Sequence, residues 1–278
     1  MAKVCISIRD IDSIYCKFMA ETRRDEVLEI RLDKCGFSEQ EIKDVFSSQR
    51  EAALLAAYPC RLATEREDAI NALSTAILAG ADLVDIETSL PEDSRRWLSS
   101  LAMNKFCKTI YSYHNRHHTN PIEDLRTIVR KAFAEGADIV KIVTTAKSAK
   151  DAERVLSLYD EFPPERLIAF AMGTAGTPSR LKSVTLGAPL YYVSPRRGFE
   201  TAPGQPCYYN LLEGEIVLKG EVDIPSSKSF AQRAILLAAL AEGTTRLYNL
   251  TLCDDTQSAL SVAWQLGAEI SFEGRTLV

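Results

Sequence analysis

Ile139-Val140-Lys141-Ile142-Val143 is a strand-forming run of β-branched residues with one lysine at its centre. It directly follows an amphipathic stretch that opens at Asn120-Pro121 and closes at Glu135-Gly136, where proline and glycine are the usual start and stop signals of a helix. The same helix-then-strand unit recurs on both sides. Upstream lie Val4 to Ile8, Val27 to Arg31, Ala53 to Ala57, Leu83 to Glu87 and Lys108 to Ser112; downstream lie Leu167 to Phe170 and Leu190 to Val193. Eight strands at intervals of roughly 23–32 residues, with room for a helix in each interval, predict a closed (β/α)8 TIM barrel, an α/β fold, at the compact end of its size range. A doubly wound open sheet fits less well, because no Gly-x-Gly-x-x-Gly follows the first strand.

Beyond residue 205 the pattern changes, and a domain boundary near 212 follows: a barrel over 1–211 and a smaller segment over 212–278. The segment reads as a βαβαβ unit: a strand at Glu215 to Gly220, a helix from Phe230 to Ala241, a strand at Arg246 to Tyr248, a helix from Thr256 to Leu266 and a strand at Glu269 to Phe272. So short a unit has little surface to bury by itself. The eighth barrel helix is short, so the segment or a partner subunit, as in a homodimer, is expected to cover the flank it leaves.

Composition narrows the function. The 278 residues carry 33 Lys+Arg against 38 Asp+Glu, a net charge of −5, without the basic excess of a general nucleic-acid binder. At 46% hydrophobic and 26% charged, the chain has ample material for a core. No apolar run reaches the ~20 residues of a membrane span and Met1-Ala2-Lys3-Val4 leads straight into a strand, so a cytoplasmic protein is expected. The seven cysteines are scattered without a Cys-x-x-Cys pair and read as reduced thiols.

The chemistry lies in polar residues inside apolar strands. Side chains alternate across a strand, so Glu29 and Arg31 share one face, as do Asp85 and Glu87, and Ser112 and His114. All fall at C-terminal strand ends, where barrel enzymes keep their sites. Lys141 has apolar neighbours on both sides; unless paired, its ammonium is desolvated, its pKa falls, and the neutral amine can form a Schiff base with a carbonyl. Taken singly, such a charge reads equally as an interior ion pair, for example Lys141 with Glu29 or Glu87. The three histidines lie in His114-Asn115-Arg116-His117-His118; without acidic residues at ligand spacing they read as a general acid/base at His114 and two loop residues, not as a metal site. Gly173 to Arg180 forms a hydroxyl-bearing loop with an arginine suited to a carboxylate, and Thr201-Ala202-Pro203-Gly204-Gln205 reads as a turn or a lid over the mouth.

On these residues the first ~210 positions resemble type I 3-dehydroquinate dehydratase, a Schiff-base enzyme of the shikimate pathway. The resemblance rests on Glu29-Ile30-Arg31-Leu32-Asp33, Asp85-Ile86-Glu87, Ser112-Tyr113-His114, Gly136 to Ile142, Met172 to Arg180 and Ala202-Pro203-Gly204-Gln205. It implies that Lys141 condenses with the ketone of 3-dehydroquinate and that His114 removes a proton and then protonates the departing hydroxyl. It implies further that Glu65 orients the histidine, and that Ser7, Glu29, Arg31, Arg61, Arg180, Thr201 and Gln205 bind substrate. No cofactor or metal is required. Arg61 and Glu65 keep the family spacing only with one or two extra residues in Tyr58 to Glu65; counted without an insertion, Pro59 takes the arginine's place. The main competing enzyme is another Schiff-base barrel such as a class I aldolase; the non-enzymatic alternative is an inactive scaffold.

The tail has its own resemblance, through Leu218 to Ser229, Gln232 to Gly243 and Asp254-Asp255, to the start of 5-enolpyruvylshikimate 3-phosphate synthase. That resemblance implies an anion site at Lys228, Ser229 and Arg233, at the opening of a helix whose free N–H groups favour a phosphate. The stretch is a fraction of a two-domain fold, so no synthase turnover is expected; the alternative reading is a longer fusion polypeptide with the synthase.

Overall fold

The computed structural model describes residues 2–24, 26–60, 62–208, 227–274 and 276–278. The chain divides into two compact units, Met1–Ile216 and Val217–Val278.

The first unit alternates strands and helices. Its strands are β1 (Lys3–Ile8), β2 (Val27–Arg31), β3 (Ala53–Ala57), β4 (Leu83–Glu87), β5 (Lys108–His114), β6 (Ile139–Thr145), β7 (Leu167–Met172) and β8 (Leu190–Val193). The intervening helices are α1 (Ser13–Thr22), a short α2 (Leu32–Cys35), α3 (Glu39–Phe46), α4 (Arg66–Ala79), α5 (Glu92–Asn104), α6 (Ile122–Ala134), α7 (Ala149–Leu156) and α8 (Thr177–Thr185). All eight strands fall where the alternation of the sequence puts them. They form one parallel sheet in the order β7-β6-β5-β4-β3-β2-β1-β8. This is a TIM-barrel-like cylinder, nearly closed, with the ladder open at the seam between β7 and β8.

Local chemistry explains the helix bounds. Asp12 accepts a hydrogen bond from the Tyr15 amide at the start of α1, and Ser38 and Glu41 form a reciprocal cap on α3. Gly80 ends α4 in the left-handed region, at φ 108°, where a side chain would be strained.

Period-two alternation sorts the strand residues into two cores. Ile6, Leu28, Ile30, Leu54, Val84, Ile86, Val140, Ile142 and Leu167 point outward and pack under the helices. Cys5, Val27, Leu55, Ile110, Ile139, Ile168 and Leu190 point inward and fill the barrel. Each fully buried Leu or Ile stabilises the fold by about 1.5–3 kcal/mol. The apolar filling stops toward the C-terminal strand ends, where the same inward face carries Ser7, Glu29, Arg31, Asp85, Glu87, Ser112 and Lys141, all buried. The site therefore stands on a packed floor.

In the second unit α9 (Lys228–Leu240) packs on α10 (Asp254–Gln265), close to the two helices expected. Its core is Ile235, Ala259, Ala263 and Leu277. A two-residue antiparallel hairpin, β9 (Phe272–Glu273) with β10 (Thr276–Leu277), stands at the end of the expected last strand. The strand expected at Arg246 to Tyr248 is a single bridge between Leu247 and Leu277. The strand expected at Glu215 to Gly220 and the short eighth-helix segment beyond Tyr208 lie outside the described residues.

Candidate active site

Register, more than any single residue, assembles the site. Glu87, Ser112 and Lys141 lie side by side on β4, β5 and β6, with Asp85 one pleat below Glu87. Lys141 Nζ donates to Asp85 Oδ2 at 2.9 Å and lies 3.7 Å from Glu29 Oε1. Ser112 Oγ donates to the other Asp85 oxygen. On its remaining side the ammonium rests over the Tyr192 ring, 4.2 Å from the centroid.

This pairing changes the expected charge of the lysine. Burial by itself disfavours the ammonium, but the charges of Asp85 and Glu29 and the Asp85 hydrogen bond outweigh it and hold Lys141 above its ordinary pKa. Burial likewise works to raise the Asp85 carboxyl, and Lys141, His114 and the Ser112 hydrogen bond outweigh that and hold it below the usual range. The resting lysine is thus a buried ammonium, not the neutral amine that desolvation alone would leave.

His114, at the end of β5, brings Nδ1 to 2.8 Å from Glu87 Oε1. The approach is close but out of line for a hydrogen bond, and Nδ1 has no hydrogen-bond partner among the described residues. In this structure the carboxylate beside the imidazole is Glu87, where the resemblance implies Glu65. Glu65 is half-buried in the short 3-10 turn Ala63–Glu65, where its Oε2 accepts from the Leu62 amide at 2.9 Å, and it does not line the cavity. Arg61 lies outside the described residues. Pro59 lines the cavity where an uninterrupted count of the third strand puts it, and Arg116, from the loop after β5, lines the same cavity.

The opposite wall carries a second buried cation. Arg180, in α8, is 5% exposed, with its guanidinium carbon 4.5 Å above the Phe170 ring. Its Nη2 donates to the Pro203 carbonyl at 3.3 Å, while Nε is buried without a partner among the described residues. Burial without a carboxylate pulls its pKa down to about 10. Arg31, by contrast, is already engaged in two 2.8 Å hydrogen bonds with Asp33. Gln205 Oε1 accepts from the Thr201 amide and hydroxyl at 2.6 and 3.0 Å, and its Nε2 donates to Ser7 Oγ at 3.1 Å. Ser7 therefore anchors Gln205 and does not itself line the cavity. Two glycines permit the close packing: a Cβ on Gly176 would sit 2.4 Å from the Met172 carbonyl oxygen, and one on Gly204, at φ 73°, would sit 2.6 Å from Thr177 Oγ1.

Together Glu29, Arg31, His114, Lys141, Arg180, Thr201 and Gln205 border one cavity of about 60 Å³ at the C-terminal mouth of the barrel. It brings together the Lys141 ammonium, the His114 imidazole and the buried Arg180 guanidinium. A larger hollow of about 610 Å³ in the second unit is walled by residues such as Ile235, Leu260 and Leu277 and gathers no comparable set of groups. Of the tail residues singled out by sequence, Lys228 pairs with Asp255 and Arg233 donates to Ser229 Oγ at 2.8 Å.

The family model for type I 3-dehydroquinase matches residues 4–214. The chain belongs to this family. It is accordingly an enzyme, a hydro-lyase of the shikimate pathway. Among its relatives, a 3-dehydroquinate dehydratase of Dehalococcoides mccartyi is 34% identical over 196 residues, which cover 66% of this chain and 82% of that one. The type I 3-dehydroquinate dehydratase structure from Clostridium difficile superposes with a TM-score of 0.64 at 21% identity, over 76% of this chain and 89% of that one. The Aquifex aeolicus 3-dehydroquinate dehydratase gives 0.61 at 24% identity, over 76% and 96%. Residues 212–278 match the model for EPSP synthase, 3-phosphoshikimate 1-carboxyvinyltransferase.

Sequence reasoning missed Tyr192, Phe170 and Arg116 as cavity residues. The first two were within reach: period-two alternation puts Tyr192 on the face of Leu190, and Phe170 on that of Ile168 and Met172.

Proposed function

We propose that the barrel converts 3-dehydroquinate to 3-dehydroshikimate and water by syn elimination through an iminium on Lys141. The observation that carries this reading is the juxtaposition of the Lys141 ammonium, the His114 imidazole and the unpaired Arg180 around one cavity. Arg180 takes the substrate carboxylate, which relieves its buried charge. Arg31, Glu29, Thr201 and Gln205 face the ring hydroxyls.

Lys141 first loses a proton, for which Asp85 at 2.9 Å is the nearest acceptor. The neutral amine adds to the C3 ketone, and loss of water gives the iminium. Its electron demand acidifies C2; His114 removes the C2 proton, leaving an enamine, and returns a proton to the C1 hydroxyl as it departs as water. Hydrolysis of the remaining iminium consumes one water and frees Lys141, so the net yield is one water. Glu87 steadies His114 while it is charged.

Small-molecule sites are usually ~300–1,000 Å³. The cavity is about 60 Å³ in this structure, and the Thr201 to Gln205 loop, tethered through Gln205 to Ser7, is the segment placed to move aside for entry. The C-terminal segment is not part of this chemistry, and purified chain is expected not to turn over shikimate 3-phosphate with phosphoenolpyruvate.

The test is direct: 3-dehydroshikimate is a conjugated enone, so its ultraviolet absorbance should grow when purified chain meets 3-dehydroquinate. Lys141→Ala should abolish the signal without unfolding the barrel. An undiminished rate in that variant would refute the mechanism.

A further inference from the structure

Tyr192 occupies an unusual place. It stands on β8 opposite Cys5 of β1, is 6% exposed, borders the cavity, and lies with its ring under Lys141 Nζ at 4.2 Å. Its hydroxyl is buried with no hydrogen-bond partner among the described residues. The part of Tyr192 that meets the lysine is its ring face, centred 4.2 Å from Nζ.

The lysine nitrogen passes through three states: ammonium, neutral amine and iminium. The ammonium has three N–H donors and can serve Asp85 and Glu29 together. The iminium nitrogen is planar, bonded to the substrate carbon, and keeps one. At most one carboxylate then retains a hydrogen bond, whereas an aromatic face attracts a positive charge without needing any donor. The neutral hydroxyl leaves that face undisturbed: burial holds it protonated, with the neighbouring Glu29 and Asp85 carboxylates adding to the effect.

We propose that Tyr192 is a further catalytic residue whose ring face holds the positive charge on Lys141 Nζ in both the ammonium and the iminium states, its hydroxyl taking no part. This rests on the Schiff-base reading above and adds to it the contact that follows the charge through the cycle.

The full-length chain tests this with Tyr192→Phe, Tyr192→Leu, and phenylalanines bearing one to three ring fluorines at position 192, which drain the ring face of electron density at nearly constant shape. Tyr192→Phe should keep kcat within about two-fold. Tyr192→Leu should lower kcat by about three- to thirty-fold, with KM little changed. The fraction of chain trapped by borohydride at saturating 3-dehydroquinate should fall with it. In the fluorinated series both should fall stepwise with fluorine count, a trend that a merely space-filling residue would not produce and that remains readable if the leucine variant fails to fold.

A second readout needs no substrate: the pH at which Lys141 becomes reactive to acetic anhydride, followed by peptide mass. Loss of the ring face should lower that pH by about 0.4–1.5 units relative to Tyr192→Phe, and fluorination should move it the same way. If the unsubstituted chain forms no adduct, the Schiff-base reading fails, while the acylation shift still tests the ring. Identical kcat, trapping and acylation pH across the phenylalanine and fluorinated variants would overturn the proposal.

Discussion

Lys141 and Asp85 illustrate how a buried pair can serve both folding and chemistry. Removing one partner strands the other charge in a low-dielectric interior, which costs about 3–5 kcal/mol. Asp85→Asn is therefore expected to lower stability to urea by about that amount, somewhat less if Glu29 compensates. The pH range follows from the directions of the two shifts. A carboxyl held below its ordinary value contributes stability above the unfolded value and loses it as pH falls through the folded one. A lysine held above its ordinary value contributes below the unfolded value and loses it only as pH rises through the folded one. The difference between Asp85→Asn and the unsubstituted chain should therefore be flat from about pH 4 to about pH 10 and shrink outside that window. Arg180 is the converse case, a charge buried without a counter-charge. Arg180→Met should raise the stability of the substrate-free protein by about 1–3 kcal/mol and abolish the thermal stabilisation given by 3-dehydroquinate. His114→Ala should cut kcat by about 10²–10⁴-fold while borohydride still traps the iminium, because the imidazole acts after condensation. Glu87→Gln should reduce kcat about ten-fold or more and Glu65→Gln should leave it nearly unchanged; the reverse order would restore Glu65 to the histidine.

Secondary-structure elements were the most legible level in the sequence. β-branched runs, Asn120-Pro121 and the glycines at 80 and 136 mark strands and helix ends by local sterics, so they need no knowledge of neighbours. Alternation also puts Glu29, Asp85, Glu87, Ser112, His114 and Lys141 on inward faces. It cannot say which inward residue meets which, because that depends on the relative register of strands far apart in the chain. Hence the ion pair of Lys141 with Asp85, and the partner of His114, become visible only in three dimensions. The turn after β3 was the least legible part: Tyr58 to Glu65 has no periodicity to fix whether Pro59 or Arg61 continues the strand count. At the turn into α8, Gly176→Ala would press a methyl against the β7 carbonyls, and a loss of more than about 1–3 kcal/mol is expected by thermal melting.

For the whole molecule, every residue assigned to the reaction lies between Ser7 and Gln205, within the unit Met1–Ile216. A chain ending at residue 216 should keep its kcat. Loss of activity from a truncated chain that remains folded would instead tie the C-terminal unit to the chemistry. The central claim is narrower and concerns one covalent bond. The full-length chain mixed with 3-dehydroquinate and treated with borohydride should gain the mass of one reduced adduct, located by peptide mapping on Lys141. A folded protein that shows no adduct, or one that carries it on a different lysine, would contradict the account.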